Sequence, residues 1–290
     1  MKFKFLKTVL VSSVLALNNF ANAGIFTLDH TVNLNDALAD TASNFSPQSL
    51  GYDTATNELL FFQQSSKIIY RTDLSGTIQG ALNVNLNHST SVAGDGGKYF
   101  ASDYTGNGSG TDIFSVNKTT GATQGITLET AAVGGYPIDV RNSVLYRTNN
   151  TLWGTCGYDW GCLDQILISS INSVDNISQT VSLSNANGIG DIAVDYVNNQ
   201  IWTIDYSASA LLRQFDLTSG NEIASFDYGL DGLTSGITYA NDKLYYYDWN
   251  SGSGSTLSRF SLNSVDVPEP STLAIFALGM IGLASRRFKK

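Results

Sequence analysis

The chain has 290 residues, 42% of them hydrophobic, and 16 basic side chains against 25 acidic ones give a formal net charge of −9. Three basic residues precede residue 24 and four follow residue 285, while only one acid, Glu269, lies in the last 24 residues; the part between carries nine basic against 24 acidic groups, a net charge near −15. Such a surface repels phosphates and anionic headgroups, which excludes nucleic acid and anionic lipid as partners of that part.

In chain order, residues 1–23 read as a secretory signal peptide. Lys2, Lys4 and Lys7 make a basic start, Thr8 to Leu17 is mostly apolar, and Ala21-Asn22-Ala23 supplies the small-x-small pattern that a signal peptidase accepts. Cleavage after Ala23 is expected. Ile25 to Leu34 follows as a single β-rich segment with no unit of its own.

From there to residue 266 the chain repeats itself. Tyr52-Asp53-Thr-Ala-Thr-Asn57-Glu-Leu-Leu-Phe-Phe62, Val194-Asp195-Tyr-Val-Asn-Asn199-Gln-Ile-Trp202 and Tyr239-Ala-Asn241-Asp-Lys-Leu-Tyr-Tyr-Tyr247 share one pattern. Each is an Asp or Asn, a short polar turn and a β-rich run, and weaker copies begin at Asp95 and Asp139. The starts at 53, 95, 139, 195 and 241 lie 42, 44, 56 and 46 residues apart.

A second signature follows at a fixed lag: Ile69-Tyr-Arg-Thr-Asp73-Leu-Ser-Gly76, Ile113-Phe-Ser-Val-Asn117-Lys-Thr-Thr-Gly121, Arg213-Gln-Phe-Asp216-Leu-Thr-Ser-Gly220, and a fading copy from Ser258 to Asn263. In these turns Gly takes the positive φ, and Asp or Asn hydrogen-bonds its own backbone. Units of three or four short strands at this period predict an all-β fold, a β-propeller of five four-stranded blades over residues 24–266. The fifth unit runs out after its third strand, so Ile25 to Leu34 is expected beside Leu257 to Leu262, closing the ring. A six-bladed ring or an open β-sandwich is the alternative.

Cys156 and Cys162 are the two cysteines, in Cys-Gly-Tyr-Asp-Trp-Gly-Cys. In an oxidising compartment this spacing reads as a small disulfide-closed loop. Three units end their second strand on an Asp followed by an aromatic residue and a small-residue loop, at Asp103-Tyr104, Asp205-Tyr206 and Asp248-Trp249. Asp103, Asn107, Asp112 and Asp248 offer oxygen ligands to a hard cation such as Ca²⁺, without the spacing of an EF-hand. The same loops also read as plain turn-rich connections. An acid beside an aromatic side chain equally suits a sugar, with Trp153, Tyr158 and Trp160 extending such a surface.

Catalysis has poor candidates. His30 falls on the closing strand and His88 between units, which leaves no evident Ser-His-Asp set, and Glu58, Glu129 and Glu222 sit in no suggestive context. Paired aspartates of a glycosidase stay open, because their distance is set only in three dimensions.

The C-terminus carries a second address. Pro268-Glu269-Pro270 precedes Leu273 to Ala284, apolar throughout, and then Arg286-Arg287-Phe288-Lys289-Lys290. Fifteen residues separate Pro270 from Arg286, fewer than the ~20 a helix needs to cross ~30 Å of hydrocarbon, so a short transmembrane segment over 272–285 spans only with Ser271 and Thr272 inside or by thinning the bilayer. The basic end stays cytoplasmic and the domain lies outside. Tripeptide, apolar run and basic end together resemble the PEP-CTERM sorting domain of Gram-negative bacteria that make exopolysaccharide, a resemblance confined to residues 267–290. It implies recognition by an exosortase through Pro268, Glu269, Pro270, Arg286 and Arg287, transient anchoring in the inner membrane, and cleavage near the tripeptide. The function expected is an exported envelope or matrix protein, a non-catalytic binding or structural module associated with exopolysaccharide. A secreted carbohydrate-active or lactone hydrolase on the same scaffold is the alternative.

Overall fold

Polar turns flanked by apolar strands fold as antiparallel meanders, and the described residues are built largely from them. The computed structural model describes residues 25–34, 49–63, 66–86, 89–103, 113–126, 137–149, 162–167, 177–184, 186, 188–205, 210–230, 235–250 and 254–263. The chain divides into two units, Met1–Thr27 with Leu262–Lys290, and Leu28–Ser261. In the first, the described residues are only the outer ends of two strands; everything below concerns the second unless stated.

After an opening strand, β1 (Ile25–Asn33), the first meander is β2 (Leu50–Asp53), β3 (Glu58–Gln63), β4 (Ile68–Thr72) and β5 (Ile78–Asn83). The second is β6 (Ser89–Asp95), β7 (Lys98–Asp103), β8 (Ile113–Asn117) and β9 (Thr123–Ile126). One parallel bridge, Asp53 to Gly94, joins these two into an eight-stranded sheet. The third is β10 (Ile138–Arg141), β11 (Val144–Asn149), β12 (Cys162–Leu167) and β13 (Ile177–Ser182); the fourth is β14 (Ile189–Asp195), β15 (Gln200–Asp205), β16 (Ala210–Asp216) and β17 (Glu222–Leu230).

The last meander has only three strands of its own, β18 (Ser235–Ala240), β19 (Lys243–Asn250) and β20 (Gly254–Asn263). Its fourth is β1, which lies beside β20, as expected of the opening segment. Thr31 and Ser258 share a hydroxyl hydrogen bond of 3.3 Å, and Asp29 meets Ser261, Lys243 Nζ at 3.3 Å and Arg259 at 3.7 Å. Thr31 opposite Ser258 and Asp29 opposite Ser261 make the pair antiparallel.

The first strands of successive meanders touch in a closed circuit: β2 meets β6, β6 meets β10, β10 meets β14, β14 meets β18, and β18 returns to β2. Side chains alternate between faces of a strand, and here both faces are covered. Phe61 enters a cluster with Tyr245, Tyr247 and Leu257 of the last meander, while Leu60 and Phe62 enter one with Val92 and Tyr99 of the second. Similar clusters fill the spaces between the second and third and between the third and fourth meanders. Sheets radiating from a ring of inner strands, with the core between them, define a β-propeller.

The second repeat signature is visible as side chain-capped turns. Asp73 Oδ1 accepts from the amides of Ser75 and Thr77, Asn117 Oδ1 from those of Thr119 and Thr120, and Asp216 Oδ1 from those of Thr218 and Ser219. Each glycine has positive φ, 88° at Gly76, 70° at Gly121 and 71° at Gly220. A Cβ at Gly121 would stand 1.9 Å from Asn83 O and one at Gly220 1.9 Å from Ser182 O. Each turn thus seats on the end of the preceding meander's outermost strand. Gly76 lies more loosely, 3.3 Å from side-chain carbons of Val32 and Leu34, which places its turn beside the end of β1.

The register corrects one feature of the repeat. Arg141 faces Val144 across its turn as Asp53 faces Glu58 and Asp195 faces Gln200. Asp139, expected to open a turn, instead lies two residues inside β10, buried at 2% exposure. Among the described residues no helix is long and apolar enough to cross a membrane, and the segment 272–285 lies outside them.

Candidate functional site

The ring axis is where charge is concentrated in the described interior. Inner strands approach one another closely there, so their backbone amides need acceptors that a sheet ladder does not supply. Ser91 on β6 provides one: its Oγ accepts from Ile138 N at 3.1 Å and donates to Ile138 O at 2.9 Å. Asp139 on β10 spans the next seam, Oδ2 accepting from Val194 N at 2.7 Å while Oδ1 accepts from Val140 N at 2.8 Å. Asp191 on β14 spans the one after, Oδ2 accepting from Ile237 N at 2.8 Å and Oδ1 from Ile192 N at 2.9 Å.

The remaining seams are closed by glycine. A Cβ at Gly236 would meet Leu50 N at 2.7 Å, and one at Gly51 would meet Val92 O at 1.6 Å. Only bare backbone fits there.

Arg141 is 6% exposed and reaches across the ring. Its Nη1 donates to Asp139 Oδ1 at 2.6 Å, Nε to Val194 O at 3.1 Å and Nη2 to Tyr239 O at 2.7 Å, and its guanidinium stands 5.1 Å over the Tyr52 ring. One side chain therefore ties β10, β14, β18 and β2 together. Burial pushes the Asp139 carboxyl up to about 6, against the opposing pull of Arg141 and the two amides. Burial raises Asp191 well above the ordinary range, partly offset by the amides of Ile237 and Ile192, with the charge of Asp139 adding to the rise. Both carboxyls have each oxygen engaged by a backbone donor, which suits them to fixing strands rather than to exchanging protons with a substrate.

The sequence-predicted ligand set is divided by the structure. Asp103 ends β7; Asn107 and Asp112 lie outside the described residues, as does the side chain of Asp103. Asp248 is a ladder residue opposite Thr256, and β19 continues to Asn250, so this aspartate lies inside the strand instead of opening a loop. Asp205 ends β15, and both its oxygens accept from Arg213 Nε at 3.2 Å, while Arg213 Nη1 donates to Glu222 Oε1 at 3.0 Å. Burial raises the Asp205 carboxyl, opposed by Arg213. Among the described residues no group of three or more acids, histidines and cysteines is placed to hold a metal ion. Cys162 opens β12 opposite Asn149 and Ser182; Cys156, Ala21, Ala23 and residues 264–290 are outside the described residues.

Sequence reasoning missed Asp191 and the axial roles of Asp139 and Arg141. Their one signal is charge inside otherwise apolar inner strands, Ile138-Asp-Val-Arg141 and Asp191-Ile-Ala-Val194.

Against known proteins, residues 266–290 match the PEP-CTERM protein-sorting motif, the mark of an exported protein sorted by an exosortase. No curated protein sequence matches the chain. Among solved structures it is similar to glutaminyl cyclase of Myxococcus xanthus, with 12% identity over 83% of this chain and 97% of that one and a TM-score of 0.54, a likeness of fold alone. It is also similar to the WD40 β-propeller domain of Doa1 (12% identity, 74% and 78% covered, TM-score 0.42). Hydrazine synthase of Kuenenia stuttgartiensis is a further match (14% identity, TM-score 0.44), covering 72% of this chain, which spans 58% of that one.

Proposed function

We propose that this chain is an exported envelope protein whose five-bladed propeller, closed by β1, acts as a non-catalytic binding or structural module in an exopolysaccharide matrix. The observation that carries the reading is the sorting motif at residues 266–290, set directly behind a β-propeller. Signal peptidase releases the chain after Ala23, Cys156 and Cys162 pair outside the cytoplasm, and the segment 272–285 holds the protein in the inner membrane. An exosortase then cleaves near Pro268-Glu269-Pro270. The axial carboxyls support a non-catalytic role, since their oxygens are engaged by amides of neighbouring strands. Ca²⁺ bound through Asp103, Asn107, Asp112 or Asp248 belongs to the same reading.

Mass spectrometry of the extracellular form should find an N-terminus at Gly24 and a C-terminus close to Pro270; a protein still ending at Lys290 would rule out processing. Purified 24–266 should bind polysaccharide without turning it over. Turnover of polysaccharide or lactone that disappears on a single Asp→Asn substitution would establish the hydrolase instead.

A further inference from the structure

The seam between the first and second meanders encloses a polar cluster away from the ring axis. Asp53 ends β2 beside Gly94 of β6, and its side chain is fully buried. Only bare backbone leaves it room, because a Cβ at Gly94 would stand 2.8 Å from Asp53 Cγ. Lys118, in the turn between β8 and β9, reaches across the seam and sets its Nζ 2.6 Å from Asp53 Oδ2 and 5.0 Å from the centre of the Tyr99 ring. Its side chain is 14% exposed. Lys243 and Asp29, by contrast, meet at 3.3 Å with 35% and 21% of their side chains open to solvent.

The Asp53 carboxyl is held at both oxygens. Oδ1 accepts from Ala55 N at 3.1 Å, and Oδ2 meets Thr56 Oγ1 at 2.8 Å as well as Lys118. The same hydroxyl stands 2.7 Å from Glu58 Oε2, which Arg71 Nη1 orients from 3.3 Å. A hydroxyl has one proton, and it can pass that proton to one oxygen while it takes another from the second. Thr56 is thus placed as a relay between Glu58 and Asp53 Oδ2. An amine stands against a carboxyl, an amide sits on the oxygen that would gather charge, and a proton path leads to the oxygen that would leave. Those are the parts that amide formation needs, already in position. In a site closed to water the charged pair also bears a desolvation cost that a neutral amide does not.

We propose that Lys118 and Asp53 condense into an isopeptide bond that ties the second meander covalently to the first. Nζ hands one proton to Oδ2, and its lone pair then attacks Cγ while the Ala55 amide holds the charge that gathers on Oδ1. Thr56 gives Oδ2 a second proton, drawn from Glu58, and the Cγ–Oδ2 bond breaks as water leaves. The nitrogen sheds its extra proton to solvent at the exposed edge of Lys118, and Glu58, 13% exposed, regains one from solvent. An ammonium and a carboxylate become an amide and water, with no change of oxidation state and no co-reactant. The bond joins positions 65 apart, so the seam would stay closed even when the strands around it unfold. Nothing in this depends on the sorting motif.

The test takes the full chain, expressed in a Gram-negative host and purified in detergent, then unfolds it and digests it with trypsin. The expected product is a branched species that joins the peptide ending at Lys67 to residues 99–141, uncut after Lys118 and lighter by one water than its two parts. Lys118→Arg should yield linear peptides only. Glu58→Gln should lose the branched species too, since the pair remains but the relay has no acid behind it. A wild-type digest that is cut after Lys118, with residues 99–118 recovered as a free peptide, overturns the proposal. A branched species that survives Lys118→Arg overturns it as well, because the link then lies elsewhere, and one undiminished in Glu58→Gln overturns the relay. The wild-type digest needs no variant, so misfolding of either substitution leaves the test intact.

Discussion

Arg141 and Asp139 form a pair at 2.6 Å with side chains 8% and 2% exposed, so each depends on the other for its charge. Removing one partner of a buried pair strands the other in a low-dielectric site, which costs ~3–5 kcal/mol. Arg141→Ala should lower stability by that amount in urea titration, and Arg141→Lys should not restore it, because an ammonium cannot reach Asp139, Val194 and Tyr239 together. Gly220→Ala is a backbone test: at φ 71° and 1.9 Å from Ser182 O, the added methyl should cost upwards of ~1 kcal/mol, read as a lower thermal midpoint. Gly220 and Asp216 were legible in the sequence because a turn needs positive φ and a capping oxygen locally. Asp139 and Asp191 were not, because a strand residue's neighbours across a seam are set by ring closure. That same non-locality placed Asp139 at a turn when it lies inside β10.

At the scale of elements, the meanders and the closing role of β1 were readable because each rests on a count of strands per repeat. The first-to-second-strand turns were readable too, from Asn57, Asn199 and Asn241, which adopt φ of 58°, 55° and 48°. The segments that join second to third strands carry little regular pattern in the sequence, and the candidate ligands Asn107 and Asp112 fall in one of them. Two parts of β1 can be separated experimentally. Leu34, fully buried at its end, packs with Leu50, Tyr70 and Leu257, so Leu34→Ala should cost ~2–5 kcal/mol in chemical unfolding. Asp29 is exposed to solvent, and its pairing with Lys243 and Arg259 is screened there. Asp29→Asn should leave the unfolding midpoint almost unchanged, and a large drop would mean that the strand is held by charge and not by its apolar seat.

Across the whole molecule the acids fall into two opposed sets, which shapes stability against pH. Asp139 and Asp191 have folded values raised by burial, Asp139 to about 6. The folded state therefore holds their protons more tightly than the unfolded chain does. Their contribution favours folding below the unfolded carboxylate range near 4 and is lost as pH rises toward and past 6. The turn acids run the other way. Asp73 is held low by hydrogen bonds from Ser75 and Thr77 that outweigh its burial, and Asp216 by those from Ser219 and Thr218. Their stabilisation is present at neutral pH and disappears as pH falls below ~4 through the lowered values. Thermal midpoints should thus peak on the acid side of neutrality, between about pH 4 and 6. Asp139→Asn should flatten the fall above that peak, while Asp216→Asn should leave the fall in place.

The strand that completes the ring comes early in the sequence, and its partner comes late. Thr31 and Ser258, which meet through their hydroxyls, are 227 positions apart. Contacts that distant form late, because the intervening loop must be closed before they repay its entropy. Until β20 is in place the meanders form an arc with two unpaired edges, and β1 has no partner. Its middle suits a wait in water: Asp29, His30 and Thr31 are polar and exposed even when paired, and charge along a free edge discourages other chains from joining it. Circle closure therefore waits on the last strand of the propeller to be made, and a chain cut short before β20 should keep its earlier meanders but not its ring.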